Sequence, residues 1–388
     1  MLTKVILIGN SEEFRFSMKL FPEMLLRLLE EKGVPVLMIR PKTIFGKLAP
    51  WAGRLGKWLF YIDKFLLFPF YLRRTLRQER APGLVVHVCD HSNAMYVRCL
   101  SKVANIVTCH DMMPIRSALG EIARNPTSWT GRCFQRMILK GLKNAKFVVC
   151  VSTATQRDFL RIAQYPKYKT QIVFNSLHYP YTPMPETEAR VRAQALIGAD
   201  APFLLHVGGD AWYKNRGGLV AMYAEMRRIW RKKGTCVLPK LVHAGPPLDN
   251  EVRPFLEEDP EMEVDMIGLQ DVDNEDLRAL YSCAELLLFP SWNEGFGWPI
   301  IEAHACGCRV VTTNKAPMTE VGGSAAFYIE PLRPTEAVAT ILKVLDQEPV
   351  ARLQSVENGL ANAARFSEDR MISDYIETYR HLVGERKT

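Results

Sequence analysis

Short, unbroken apolar runs recur along the 388 residues of this chain. They lack the alternation of a half-exposed strand and are too brief for buried helices, so they read as parallel strands covered on both faces. In the first half they fall at 4–8, 35–40, 84–89, 104–109, 146–151 and 171–174. In the second they fall at 202–207, 237–243, 262–266, 285–289, 309–313 and 326–329. Helical periodicity separates them, so the pattern predicts an α/β chain with two doubly wound parallel sheets. The length also favours two cores over one. The stretch from Asn175 to Pro185 is proline-rich and aperiodic, and it marks the expected boundary between domains at 1–178 and 186–367. Ligands of such sheets bind beyond the carboxyl ends of the strands, and two such edges facing each other would form a cleft.

Composition changes this picture little: 48% hydrophobic and 24% charged residues are ordinary for a soluble globular chain. Met1 to Lys4 runs straight into the strand Val5–Ile8 with no cleavage site, so no signal peptide is expected. No run approaches the roughly 18–20 apolar residues of a membrane span. Nine cysteines are scattered, mostly inside apolar runs (Cys89, Cys109, Cys150, Cys236), which suggests reduced thiols in the cytoplasm. Cys306-Gly307-Cys308 reads as a small-residue helix end, not a metal site.

Charge is more informative. The formal +8 divides into 28 Lys+Arg against 11 Asp+Glu over residues 1–185, or +17, and 22 against 31 over the rest, or −9. An anionic partner is therefore expected for the first half. Within it, residues 47–80 interleave Trp51, Trp58, Tyr61, Phe65, Phe68, Phe70 and Tyr71 with Arg54, Lys57, Lys64, Arg73, Arg74, Arg77 and Arg80. Such a helix suits either an anionic membrane interface or docking on its own domain with a basic outer face. Single-stranded nucleic acid is a third and weaker match.

The richest chemistry lies in Pro290-Ser291-Trp292-Asn293-Glu294-Gly295-Phe296-Gly297-Trp298-Pro299-Ile300-Ile301-Glu302-Ala303. It sets Glu294 and Glu302 across the passage from a buried strand to a helix, with Pro299 suited to the first helical turn and Gly307 to its end. The amides from Gly295 to Gly297 then sit at a helix N-terminus, a ready anion site. On spacing alone, an ordinary turn with two surface glutamates is equally admissible. A second loop, Val207-Gly208-Gly209-Asp210-Ala211-Trp212-Tyr213-Lys214-Asn215, ends in a cation able to neutralise a diphosphate leaving group, or is simply a surface lysine. His110 and Asp111 follow one strand, where Asp111 either orients the imidazole or caps the next turn; Asp90 and His91 follow another, where capping is the default reading for Asp90 or Ser92, as it is for Ser152. Asp271-Val272-Asp273 reads as a loop and helix start, not a metal site.

The whole string from Glu294 to Glu302, continued through Ala303, Gly307 and Pro317-x-x-Glu320-Val321, resembles the Glu-x7-Glu signature of the retaining GT-B glycosyltransferases, specifically glycosyltransferase family 4. The resemblance implies two Rossmann-like domains facing across a cleft, with a C-terminal helix at about 368–388 packing back on the first. It implies that Glu294 and the amides of Gly295, Phe296 and Gly297 hold the donor sugar, and that Glu302 takes the ribose. Gly208, Gly209, Lys214 and Asn215 are similar to the family's diphosphate loop. The arginine usual about five positions before the lysine is replaced by Gly209, so Arg216 or the amides of Gly208 and Gly209 must substitute. His110 resembles the family's histidine near the anomeric carbon, and Asp90, His91 and Asp111 fall on the acceptor side. Asn175 resembles a hinge residue. The family's N-terminal glycine-rich loop is not matched by Gly9 to Ser17.

The implied activity is transfer of a hexose from a nucleotide-diphosphate sugar to a glycan or lipid-linked acceptor. It would proceed with retention by front-face attack, without metal or other cofactor. No nucleic-acid partner is implied. The expected setting is the cytoplasm, peripheral on the inner face of the membrane. A non-catalytic nucleotide-sugar-binding scaffold and a nucleotide-sugar epimerase are the alternatives.

Overall fold

The computed structural model describes residues 1–11, 17–47, 59, 61–234 and 238–384. It falls into two compact units, Met1–His178 with Glu368–Thr388, and Tyr179–Ser367.

The first unit is built on β1 (Lys4–Ile8), β2 (Val36–Ile39), β3 (Leu84–Val88), β4 (Ala104–Cys109), β5 (Phe147–Cys150) and β6 (Thr170–Ile172). These form one parallel sheet in the order β2-β1-β3-β4-β5-β6. Val5 to Ile8, Val85, Val86, Val88, Val148 and Val149 are all fully buried, as strands covered by helices on both faces require. Order along the sheet reverses between β1 and β3, and the chain just past these two strands is linked: Asn10 Nδ2 donates to Asp90 Oδ2 at 2.6 Å.

The final helix, Glu368–Leu382, belongs to this unit. Lys32 pairs with Asp369 at 2.6 Å, and Arg27 with Glu368. Deeper in, Tyr379 Oη meets His87 Nδ1 at 2.7 Å, His87 Nε2 meets Thr108 Oγ1 at 2.8 Å, and Thr108 meets Tyr375 Oη at 3.0 Å. Burial, reinforced by nearby His110, holds the His87 pKa down to about 3. The imidazole therefore stays neutral, and the chain of bonds joins helix to sheet without a buried charge.

The described part of the 47–80 segment is helical. A short π-helical stretch, Asp63–Leu67, runs into the α-helix Phe68–Gln78. It docks on its own unit, burying Phe68, Leu72, Thr75 and Leu76, with Phe68 and Tyr96 rings 4.7 Å apart. Tyr61, Leu66, Phe70 and Tyr71 remain exposed on the outer side with Arg73, Arg74 and Arg77. Residues 48–58 and 60, including Trp51, Arg54, Lys57 and Trp58, lie outside the described residues, as do Glu12 to Phe16 and Cys236.

The second unit holds β7 (Phe203–Val207), β8 (Lys240–Ala244), β9 (Met266–Leu269), β10 (Leu286–Phe289), β11 (Val310–Thr313) and β12 (Phe327–Ile329), parallel throughout in the order β12-β11-β10-β7-β8-β9. Its strand order reverses between β7 and β10. One expected strand is misplaced. Residues Met262–Asp265 form a helical turn and β9 begins at Met266. Asp265, with Asp259, is held by the fully buried Arg227 from the helix Arg216–Lys233. That long-range pairing fixes the turn against the local alternation of Met262, Val264 and Met266.

Candidate functional site

In an open α/β sheet the crevice at the strand-order reversal, beyond the carboxyl ends, is the natural ligand position. In the second unit this places the loops after β7 and β10 side by side, and three bonds join them. Trp292 N donates to the Tyr213 carbonyl at 2.7 Å. Asn215, in left-handed conformation with φ 56°, donates from Nδ2 to the Pro290 carbonyl at 3.0 Å. Lys214 Nζ donates to Glu294 Oε1 at 2.8 Å, and its ammonium lies 4.9 Å from the Phe289 ring centroid. Lys214 and Glu294 are thus brought together from positions 80 apart in sequence.

Glycine shapes the floor. A Cβ at Gly245, just after β8, would sit 2.0 Å from the Gly208 carbonyl oxygen, so only glycine admits this approach. The Gly208 N–H is committed to Ala244 O at 3.1 Å. Arg216 is also engaged: Nε lies 3.1 Å from Glu251 Oε1, and Nη2 donates to Glu251 Oε2 at 3.2 Å and to the Pro247 carbonyl. Of the substitutes expected for the missing arginine, the Gly209 N–H is therefore the one that no acceptor engages among the described residues. A Cβ at Gly209 would meet nothing within 4 Å.

Past β10, Gly297 adopts φ 110° and caps the helix Trp298–Ala305, turning the chain so that the 295–297 backbone leads into the helix N-terminus. Phe296 points its ring inward, edge-on to Phe366 at 5.7 Å and only 5% exposed, so its backbone is the part placed for a ligand. Glu302, on the first turns of that helix, is 4% exposed and accepts from Tyr281 Oη at 2.9 Å. Burial raises its pKa to about 7, against the opposing pull of the Tyr281 hydrogen bond and of Lys214.

Several polar groups at this edge carry no sequence motif. His206 on β7 stacks on His243 of β8, rings 5.2 Å apart, and its Nδ1 donates to the Leu288 carbonyl at 2.8 Å. A carbonyl can only accept, so Nδ1 carries the proton and Nε2 the lone pair. His206 Nε2, Ser291 Oγ and Thr313 Oγ1 are buried at the ends of β7, β10 and β11 without a hydrogen-bond partner among the described residues. Lys315 brings a further cation, donating to Asn293 Oδ1 at 3.0 Å.

The reversal point of the first sheet gathers a second polar group. Asp90 accepts from Ser92 N and Ser92 Oγ, each at 2.8 Å, as well as from Asn10. Burial would raise its pKa, but His91, His110 and these hydrogen bonds together hold it below the ordinary value. His110 Nε2 donates to the Cys89 carbonyl at 2.8 Å, which leaves Nδ1 as its acceptor atom. The backbone N–H of His110 donates to His91 Nδ1 at 3.4 Å, and Phe21 packs edge-on against the His110 ring at 4.9 Å. Asp111 is not the partner of the imidazole: it caps the following turn by accepting from Met113 N at 2.7 Å. Ser152 likewise caps its helix through Thr155 N at 3.1 Å. Asp273 caps the helix Asn274–Cys283 through Asp276 N at 2.8 Å. Among the described residues no three His, Cys, Asp or Glu side chains converge to hold a metal ion, and no helix is long and apolar enough to cross a membrane.

With this geometry in view, comparison with known proteins is direct. Residues 23–177 match the model of glycosyltransferase family 4, and residues 201–347 that of glycosyl transferases group 1. The O-antigen chain mannosyltransferase B of Escherichia coli is 28% identical over 251 residues, covering 65% of each chain. A D-inositol 3-phosphate glycosyltransferase of Salinispora tropica is 32% identical over 119 residues, covering 29% of this chain and 24% of that one. The matched region thus spans less than two thirds of either relative. Among solved structures, sucrose-phosphate synthase from Thermosynechococcus elongatus superposes with TM-score 0.75 at 18% identity, covering 99% of this chain and 100% of that one. Anabaena HepE in complex with UDP and glucose superposes with TM-score 0.69 at 15% identity, covering 97% and 99%. At these identities the structures speak to the fold, which they share as two Rossmann-like domains. Both halves of the chain match a glycosyltransferase model and the whole superposes on that architecture: the chain belongs to the GT-B glycosyltransferases of family 4.

Proposed function

We propose that the protein transfers a hexose from a nucleoside-diphosphate sugar to a glycan or lipid-linked acceptor, with retention of anomeric configuration. The observation that carries this reading is the Lys214–Glu294 pair at the strand-order reversal of the second sheet. It puts a cation for a diphosphate and a carboxylate for sugar hydroxyls on adjoining loops. The names of the relatives, which include O-antigen mannosyltransferases, favour mannose as the hexose and a glycan as the acceptor.

As the glycosidic bond to the diphosphate breaks, negative charge grows on the leaving oxygens. Lys214, the Gly209 amide and the N-terminus of the helix Trp298–Ala305 would stabilise it. Glu294 would fix the sugar through its hydroxyls and Glu302 the ribose through its own. Retention without an enzymic nucleophile means attack on the face the leaving group occupies. The acceptor hydroxyl forms the new bond, and its proton passes to a departing diphosphate oxygen. His110, with Nδ1 as its acceptor atom, is proposed to position the sugar, and Asp90 and His91 to serve the acceptor. In this scheme the neutralising charges are the protein's own, and no metal takes part. The proposed setting is the cytoplasmic face of a membrane.

The test is to incubate the purified protein with a panel of nucleotide-sugars and oligosaccharide acceptors, follow nucleoside diphosphate release, and determine the product anomer by NMR. Acceptor-dependent release with retained configuration is expected. Tight donor binding with no release would favour a non-catalytic scaffold, and acceptor-independent release of free nucleotide an epimerase.

A further inference from the structure

A cavity of about 700 Å³ opens at the C-terminal end of β2 in the first unit, and its lining includes none of the residues given a role above. Leu26, Ile39 and Ile44 line one part of it, and Arg40, Lys42, Lys47 and Tyr71 another. The loop that forms its rim is held firmly. Asp63, only 4% exposed, accepts the backbone N–H groups of Ile44 at 2.9 Å, Phe45 at 3.0 Å and Gly46 at 2.8 Å. Arg40 is oriented by Glu23, with Nη2 donating to Oε1 at 3.1 Å, and by Met38, whose sulfur lies 3.3 Å from Nε. Lys42 and Lys47 line the cavity and make no ion pair among the described residues. Three cations thus line the cavity, Arg40 paired with Glu23, while the Asp63 carboxylate is taken up by the N–H groups of the rim.

We propose that this cavity is a phosphate-ester subsite: the cationic rim takes the phosphate and the apolar wall the carbon groups attached to it. Cations beside apolar side chains in a loop of fixed shape suit an amphiphilic anion better than a free sugar. Tyr71 connects the cavity to the outer face of the helix Phe68–Gln78, where Phe70 is 69% exposed and Arg73, Arg74 and Arg77 are exposed, and Leu66 of the preceding π-helical stretch is 65% exposed. Exposed aliphatic and aromatic groups set among arginines match an anionic lipid surface, with rings at headgroup depth and cations on the phosphates. A lipid headgroup is therefore the favoured source of the phosphate. The inference deepens the acceptor half of the proposed function and rests on that reading only for the lipid's role as acceptor or membrane anchor.

The test uses the full chain in sedimentation with vesicles of phosphatidylcholine, with and without phosphatidylglycerol. Binding only to the anionic vesicles is expected. Lys42→Gln/Lys47→Gln should weaken it by about thirtyfold, at the scale typical of two basic residues near an anionic surface. The control Lys167→Gln/Lys169→Gln, exposed lysines of the same unit, should change it little. Equal loss in both pairs would reduce the effect to diffuse attraction and overturn the subsite, as would no loss in either. A second arm titrates glycerol phosphate against the melting temperature. Protection of wild type but not of the cavity variant, without vesicle binding, would keep the subsite and overturn the lipid source. Nucleoside diphosphate binding by the same samples separates the two ideas. Retained in the cavity variant, it shows that the second unit is folded and the loss local. Absent from wild type that binds vesicles, it overturns the glycosyltransferase reading and leaves the subsite standing.

Discussion

Replacing Glu302 by glutamine should remove a pH dependence that the native fold imposes on its own stability. Burial lifts the carboxyl from an ordinary 4.5 to about 7, while the Tyr281 hydrogen bond and Lys214 hold it from rising further. The native state therefore keeps a proton that the unfolded chain releases above pH 4.5. Between pH 4.5 and about 7 unfolding loses a proton, so stability falls as pH rises; below 4.5 and above 7 the contribution is flat. A difference of 2.5 units corresponds to about 3 kcal/mol at full extent. The Glu302→Gln variant keeps a carbonyl for the Tyr281 hydroxyl but cannot ionise. Urea unfolding of both proteins from pH 4 to 8 should show the wild-type advantage shrinking by up to about 3 kcal/mol across that window, with the variant lacking this slope. Parallel curves for the two proteins would refute the argument. The same group links pH to ligand. Ribose hydroxyls donate best to a carboxylate, so nucleotide binding below pH 7 should release a proton, detectable as a buffer-dependent heat of titration.

Four further outcomes follow from the geometry. Tyr379→Phe removes the hydroxyl at 2.7 Å from His87 Nδ1 and leaves that buried nitrogen without its partner, at a cost of about 1–3 kcal/mol in urea unfolding. Arg227→Ala removes the buried cation that Asp259 and Asp265 share, leaving them Arg231 and Lys240, and should cost about 1.5–3 kcal/mol, lowering the melting temperature of the second unit. Gly245→Ala drives a methyl into the Gly208 carbonyl and should abolish nucleotide binding while leaving the circular dichroism of the chain native. Gly209→Arg, at a position open to a side chain, should tighten nucleoside diphosphate binding about tenfold in calorimetry by restoring a cation to the loop.

What could be read from sequence depended on whether the physics was local. Strands such as Val5–Ile8 and Leu286–Phe289 are buried on both faces, so an apolar run was sufficient signal. Capping was legible too, because Asp90, Ser152 and Asp273 bond within three residues of themselves. The failure at 262–266 came from Arg227, whose grip on Asp265 spans 38 residues. Lys214 and Glu294 were each legible from motif, but their pairing was not, since it depends on β7 and β10 being neighbours in the sheet. His206, Ser291 and Thr313 had no signal at all. A histidine inside a buried strand looks like any core residue until its second nitrogen is found without a partner. The docking of the helix Phe68–Gln78 was one of two readings of the same composition; its packed face was legible as helical periodicity, while its role was not.

In the proposed donor site Lys214 faces a diphosphate and Glu294 a sugar. Calorimetric titration of wild type, Lys214→Met and Glu294→Gln with a nucleoside-diphosphate hexose and with the corresponding nucleoside diphosphate tests it most directly. Lys214→Met should weaken both ligands, by about tenfold or more. Glu294→Gln should weaken the sugar-bearing ligand and leave the bare diphosphate close to wild type. Wild-type affinity for both ligands in both variants, or equal loss of both ligands in Glu294→Gln, would contradict it.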